Sequence, residues 1–158
     1  MSKIRIYCAG SGGMLGEAIY QVFNEKYDLF TSDIIISKES ENYLDFRNFD
    51  EYKKQVLDFK PNFLFHIGAL TDLEFCEKNP EETYITNTLS VENAAIIANE
   101  MKIPLIYIST AGIFDGNKDT YDDWDQPRPL CHYARSKFAG EELVKSLCSH
   151  YFIFRAGR

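Results

Sequence analysis

Only four of the 158 residues are cysteine, and Cys8, Cys76, Cys131 and Cys148 stand far apart, without Cys-x-x-Cys or Cys/His ligand spacing. Such spacing supports neither a disulfide framework nor a zinc site, and it predicts reduced, mostly buried thiols. Cations are also scarce: 17 Lys and Arg stand against 24 Asp and Glu, a formal net charge of -7. Nucleic-acid and anionic-membrane surfaces need clustered positive charge, so neither partner is expected and small-molecule chemistry is favoured. No apolar run is long enough to span a bilayer. The N-terminus enters a strand at once, with no cationic stretch leading into an apolar one, so a soluble, cytoplasmic protein is expected. His66, His132 and His150 are scattered, and no metal site is expected.

Against these absences, 45% of the residues are hydrophobic and 15% aromatic. That is enough for a substantial core, and residues 1–158 are expected to form one domain. Short apolar runs alternate with helical patterns. Strands are expected at Ile4–Cys8, Leu29–Ser32, Tyr43–Phe46, Asn62–Ile67, Leu105–Ser109 and Tyr151–Arg155. Helices are expected at Leu15–Lys26, Phe49–Asp58, Pro80–Asn87 running into Leu89–Met101, and Tyr133–Cys148. Strand and helix units of this length impose parallel pairing with right-handed crossovers, so the fold class is α/β: a doubly wound parallel sheet in three α/β/α layers, the Rossmann type. The aspartate-rich loop Phe114–Leu130 is the longest irregular piece, and loops of that length are often functional. Trp124 within it reads as an anchor for the loop, with a place beside a substrate entrance as the other reading.

"YCAGSGGMLGEAI" sets Gly10, Gly12, Gly13 and Gly16 between the first strand and first helix. A sharp turn, a close approach of backbone to pyrophosphate and a tight helix–strand contact each call for a missing Cβ, and the helix N-terminus adds free N–H groups for the anion. Met14 and Leu15, at the start of that helix, join the loop as candidate cofactor contacts. Asp33 follows the second strand, where a carboxylate can accept hydrogen bonds from the adenosine ribose. It would repel a 2′-phosphate, which favours NAD over NADP; a solvated loop aspartate is the alternative. Asp45, at the end of the third strand, is a candidate for the adenine edge.

In "HYARSKFAGEEL" Tyr133 and Lys137 lie four apart and share a helix face. An ammonium beside a phenol favours the phenolate and draws its pKa toward a value useful for proton transfer. "LIYISTAGIFDG" places Ser109 and Thr110 at the carboxyl end of a central strand, the edge where α/β folds bind ligands. A hydroxyl there can hydrogen-bond a substrate carbonyl or cap local backbone.

The glycine loop, strand-end hydroxyl and Tyr/Lys pair, in this order, resemble the extended short-chain dehydrogenase/reductase family. Within it, "HIGALTDLEFCEKNPEETYITN", "ISTAGIFDG" and "PLCHYARSKFAGEEL" are similar to segments of the dTDP-4-dehydrorhamnose reductases. The resemblance implies an NAD(P)-dependent enzyme that reduces a 4-keto group on a nucleotide-linked sugar. It makes Tyr133 the proton donor, gives Lys137 the nicotinamide ribose and the lowering of the tyrosine pKa, and lets Thr110 orient the carbonyl. Gly10, Gly13 and Gly16 would hold the pyrophosphate, and Ala69, Leu70 and Thr71 would line the adenosine and ribose path. It further implies a possible homodimer and relatives about twice as long, so the chain is expected to be the N-terminal part of a longer protein. Ala111 and Gly112 after Thr110 depart from the reductase pattern toward the epimerase and dehydratase branch. A sugar epimerase or dehydratase with NAD, or a non-catalytic nucleotide-sensing regulatory subunit, therefore stand as alternatives.

Overall fold

In a computed structural model that describes residues 3–36 and 41–157, six parallel strands form one sheet in the order β3-β2-β1-β4-β5-β6. The strands are β1 (Arg5–Ala9), β2 (Asp28–Asp33), β3 (Glu41–Tyr43), β4 (Phe63–His66), β5 (Leu105–Thr110) and β6 (Tyr151–Ala156). The order reverses between β1 and β4, and in open α/β sheets ligands bind outside the carboxyl ends of the strands at that reversal. The helices are α1 (Met14–Phe23), α2 (Phe49–Phe59), α3 (Leu73–Lys78), α4 (Pro80–Tyr84), α5 (Ser90–Met101) and α6 (His132–Leu147).

Alternation along the strands sorts side chains between two faces. Tyr7, Ala9, Leu64, Leu105 and Tyr107 join Tyr52 and Val56 of α2, Val91, Ala94, Ala95, Ile97 and Ala98 of α5 and Val144 of α6 in the main core. Burial of that apolar surface is the principal stabilising contribution. On the opposite face α1 meets the sheet through Ile19 and Phe23, beside a groove of about 490 Å³ lined also by Phe63, Phe65, Ile106, Ile108, Phe152 and Phe154. Phe152 and Phe154 are each 55% exposed there. Among the described residues, α1 is the helix seen lining that groove.

The doubly wound sheet agrees with the sequence expectation; several boundaries differ. The third strand is Glu41–Tyr43 rather than Tyr43–Phe46. Leu44 still donates its N–H to the Asp33 carbonyl at 2.9 Å, but the chain then turns toward α2, whose N-cap Asn48 accepts from Glu51 N at 3.2 Å. Helix α3 was not foreseen. Its six residues are too few to show periodicity, although Asp72 caps it by accepting from Phe75 N at 2.9 Å. The expected long helix through Met101 runs from α4 to α5 across a π-helical turn, Ile85–Leu89.

Candidate active site

The glycine loop leaves β1 at the reversal point. Gly10 has φ +87°, and a Cβ there would stand 2.2 Å from the Gly68 Cα, so both chains crossing this point must lack side chains. A Cβ on Gly16 would lie 2.1 Å from the Ser11 carbonyl oxygen. Gly13 is different: no atom lies within 4 Å of its would-be Cβ, and as N-cap of α1 it supplies no side-chain cap. The loop is thus tight at its ends and open in the middle, where an anion would meet uncapped N–H groups. Met14 (88% exposed) and Leu15 (42%) flank that opening.

Asp33 stands at the loop's rim. Its carboxylate accepts from Gly12 N at 2.8 Å and Ile35 N at 3.0 Å, and it is the group a Cβ on Gly12 would strike. Asp45 is already paired. Arg47 donates to both its oxygens, Nε to Oδ1 at 2.9 Å and Nη2 to Oδ2 at 2.7 Å, and this pairing holds the carboxyl below its usual range. An adenine edge would have to compete with that guanidinium.

Beyond β4, the segment Ala69-Leu70-Thr71 is fastened by a residue that the sequence reading overlooked. Asn87, fully buried in the π-helical turn, accepts from Leu70 N at 2.7 Å and donates to Leu70 O at 2.9 Å and Ser136 Oγ at 3.2 Å. Ser136 in turn donates to the Tyr133 carbonyl at 2.7 Å. One network therefore ties the loop after β4 to α6.

Strand β5 carries Thr110 past its neighbour: His66, the last residue of β4, pairs with Tyr107, so Thr110 lies three residues, about 10 Å, further out. Its hydroxyl accepts from Gly112 N at 3.0 Å and stands close enough to the Tyr133 phenol to influence its pKa. Burial pushes that phenol above its ordinary pKa, and the Thr110 hydroxyl offsets part of the rise. Lys137, which the resemblance has lowering this pKa, is not among the groups that offset the burial here. The reason is packing: Lys137 is 2% exposed, with Nζ 4.3 Å from the centroid of the Tyr107 ring, and burial lowers its own pKa to about 7. Near neutrality it therefore carries only part of a charge to offer a neighbour.

Glycine 140 makes this seat possible. A Cβ there would meet the Tyr107 hydroxyl at 2.6 Å, and that hydroxyl donates to the Lys137 carbonyl at 3.1 Å. One turn after Lys137, the fully buried Glu141 is pushed up by burial but held below its ordinary value by Arg155 of β6, which donates to it at 3.0 and 2.8 Å. His66 is driven down to about 3 by burial and by the Lys137 charge. Among the described residues no three His, Cys, Asp or Glu side chains gather as a metal site. Trp124 is 90% exposed and anchors nothing; the Phe114–Tyr121 stack, centroids 4.3 Å apart, does that for the loop.

The RmlD substrate binding domain family matches residues 4–158. The chain belongs to this family. Among its relatives, the dTDP-4-dehydrorhamnose reductase of Escherichia coli K12 is 29% identical over 154 residues, covering 96% of this chain and 50% of its own length. Methionine adenosyltransferase 2 subunit beta of Xenopus tropicalis is 30% identical over 141 residues, 89% of this chain and 42% of its own. The solved dTDP-4-dehydrorhamnose reductase of Bacillus anthracis, in complex with NADP, superposes with a TM-score of 0.90 at 30% identity, covering 99% of this chain and 54% of that one. This RmlD-family chain thus spans about half the length of the relatives it matches.

Proposed function

We propose that this chain supplies the dinucleotide-binding and proton-donating half of a nucleotide-sugar reductase, one that reduces a keto sugar of the dTDP-4-dehydrorhamnose kind with NADH or NADPH. The observation that carries the reading is the continuity of one edge: the glycine cradle closes on Gly68, the following loop is pinned through Asn87 to α6, and α6 presents Tyr133 to Thr110. The cradle fits a pyrophosphate because its middle glycine faces open space. When bound, the nicotinamide supplies the hydride.

The chain's own part is proton management and orientation. A phenol held above its ordinary pKa is protonated at neutral pH, and it can give that proton to a carbonyl oxygen as negative charge develops there. Thr110 steers the phenol and can hydrogen-bond the same oxygen. Lys137, poised near neutrality under the Tyr107–α6 contact, can take or release a proton behind the tyrosine. A protonated phenol suits reduction; epimerases and dehydratases that start by oxidising the sugar need a base at this position. Asp33 at the rim supports NADH over NADPH, whereas the Bacillus anthracis relative holds NADP. A homodimer and a cytoplasmic setting remain part of this reading.

Isothermal titration with NADH and NADPH tests it. Binding of at least one, weakened by Gly13→Ala, is expected; folded protein that takes neither refutes the proposal. A second reading is a nucleotide-sensing subunit without chemistry, favoured by the resemblance to a relative named as a subunit of methionine adenosyltransferase 2. Tyr133→Phe separates the two, since nucleotide binding survives in both readings but keto-sugar-dependent NAD(P)H oxidation is lost only if the first is right.

A further inference from the structure

The helical run from Pro80 to Met101 opens into a π-helical turn at Ile85–Leu89, and such turns cluster at functional sites. The hydrogen bonds around Ser90 explain why the helix opens. In an α-helix the Ser90 N–H would bond to the carbonyl four residues back, that of Thr86. Here it goes to Ile85 O, five residues back, and to Thr88 O, while the Ser90 hydroxyl donates to Thr86 O at 2.5 Å. The side chain has taken over the carbonyl its own amide left. Hydroxyls that bond back onto a helix in this way bend it.

Ser90 is itself held. His66 Nε2 lies 3.2 Å from the Ser90 oxygen, and His66 Nδ1 lies 3.2 Å from the Tyr52 hydroxyl, with all three residues fully buried. Because the single hydroxyl proton of Ser90 is given to Thr86, the imidazole must donate from Nε2. Its Nδ1 is then the acceptor for the Tyr52 proton. The neutral ring has one tautomer that satisfies every partner.

We infer that Ser90 and His66 are positioning residues: together they hold the π-helical turn open, and the turn aims Asn87 between the Leu70 loop and α6. Without the extra residue in the turn, Asn87 would rotate by about 100° relative to α5. Leu70 would then lose its bonds at 2.7 and 2.9 Å, and Ser136 its bond at 3.2 Å. Through Asn87, the buried His66 sets the spacing between the loop after β4 and the helix that carries Tyr133 and Lys137. The fold-level claim stands without a nucleotide; its consequence for binding rests on the dinucleotide reading above.

Ser90→Ala tests it by nuclear magnetic resonance on the whole chain, which at 18.3 kDa is well suited to the method. The side-chain amide signal of Asn87 is expected to move to the position of an unbonded amide. Exchange of the Leu70 N–H should accelerate about tenfold while strand amides keep their protection. His66→Gln, whose amide nitrogen can replace the Nε2 donor, should leave both signals in place, and His66→Leu should reproduce Ser90→Ala. NADH affinity should fall about tenfold in Ser90→Ala, equivalent to one lost hydrogen bond. An unmoved Asn87 signal with unchanged Leu70 exchange in Ser90→Ala overturns the inference. So does failure of both Ser90→Ala and His66→Leu to fold, which would make the network a requirement of folding instead. If NADH binds neither wild type nor variant while the signals shift as expected, the dinucleotide reading fails and this one stands.

Discussion

Replacing Lys137 with Met should make the protein more stable in mild acid and remove a rise of stability with pH. Burial draws the ammonium from 10.5 to about 7 in the folded chain. Between these values the unfolded chain still holds a proton that the folded chain has released, so stability increases with pH across that window. From pH 6 to pH 9 the gain is about 3 kcal/mol, from two units above the folded value at about 1.4 kcal/mol each. Below pH 7 the charge is buried at its full desolvation penalty, and exchanging buried ions for apolar groups of similar volume commonly stabilises by about 1–4 kcal/mol. The Tyr107 face, 4.3 Å from Nζ, offsets about 2 kcal/mol, less than the penalty of about 5 kcal/mol that the fall from 10.5 to about 7 represents, so the balance still favours Met. Urea unfolding of both proteins at pH 6, 7.5 and 9 measures this directly. The buried Cys8 and Cys148 thiols, raised to about 12 and 11, titrate in both proteins, and folded His66, driven down chiefly by its own burial, stays neutral in both across this range, so the difference reports residue 137. Lys137→Met that is no more stable at pH 6, and that keeps the wild-type slope, would show that the ammonium is not desolvated. A lysine kept here at a stability cost is the trade expected at a functional position.

Two other perturbations separate the roles of neighbouring groups. Gly16→Ala should cost at least about 2 kcal/mol in thermal or urea melts, because its Cβ meets the Ser11 carbonyl at 2.1 Å and backbone cannot yield. Gly13→Ala should change stability by less than about 0.5 kcal/mol, and its effect should appear in NADH titration instead. Glu141→Gln should cost about 3 kcal/mol near neutrality by leaving the Arg155 guanidinium without its buried partner. Since the folded Glu141 lies below its ordinary value of 4.5, wild type should lose that advantage as pH falls below 4.5, and the two acid-unfolding curves should converge.

The strands and the main helices were legible because their residues repeat with periods of two or 3.6 and because glycine is needed where chains cross. Gly10 and Gly16 could be named from spacing alone, and each proves to stand where a Cβ collides with backbone. Thr110 and Tyr133 could be named from order along the chain, since both fall at the carboxyl edge that a parallel sheet presents. Short-range signals failed where the decisive contact was distant. Helix α3 is too brief for a period, and Trp124 lies outside the packing of its own loop. The family resemblance pointed to the Tyr/Lys pair, but the sign of the phenol's shift required knowing how deeply each group is buried.

From its amino acids alone this chain declares a doubly wound sheet, a phosphate-sized loop and a phenol one helical turn from an ammonium, because each depends on residues close in sequence. What only the folded structure decides is the charge state and aim of those groups. Lys137 titrates near neutrality because Tyr107 and α6 shut out water, and Asn87 reaches Leu70 because Ser90, held by His66 of the sheet, opens its own helix. Desolvation and hydrogen-bond partnership are properties of distance in space, and distance in space is set when the sheet and its helices pack.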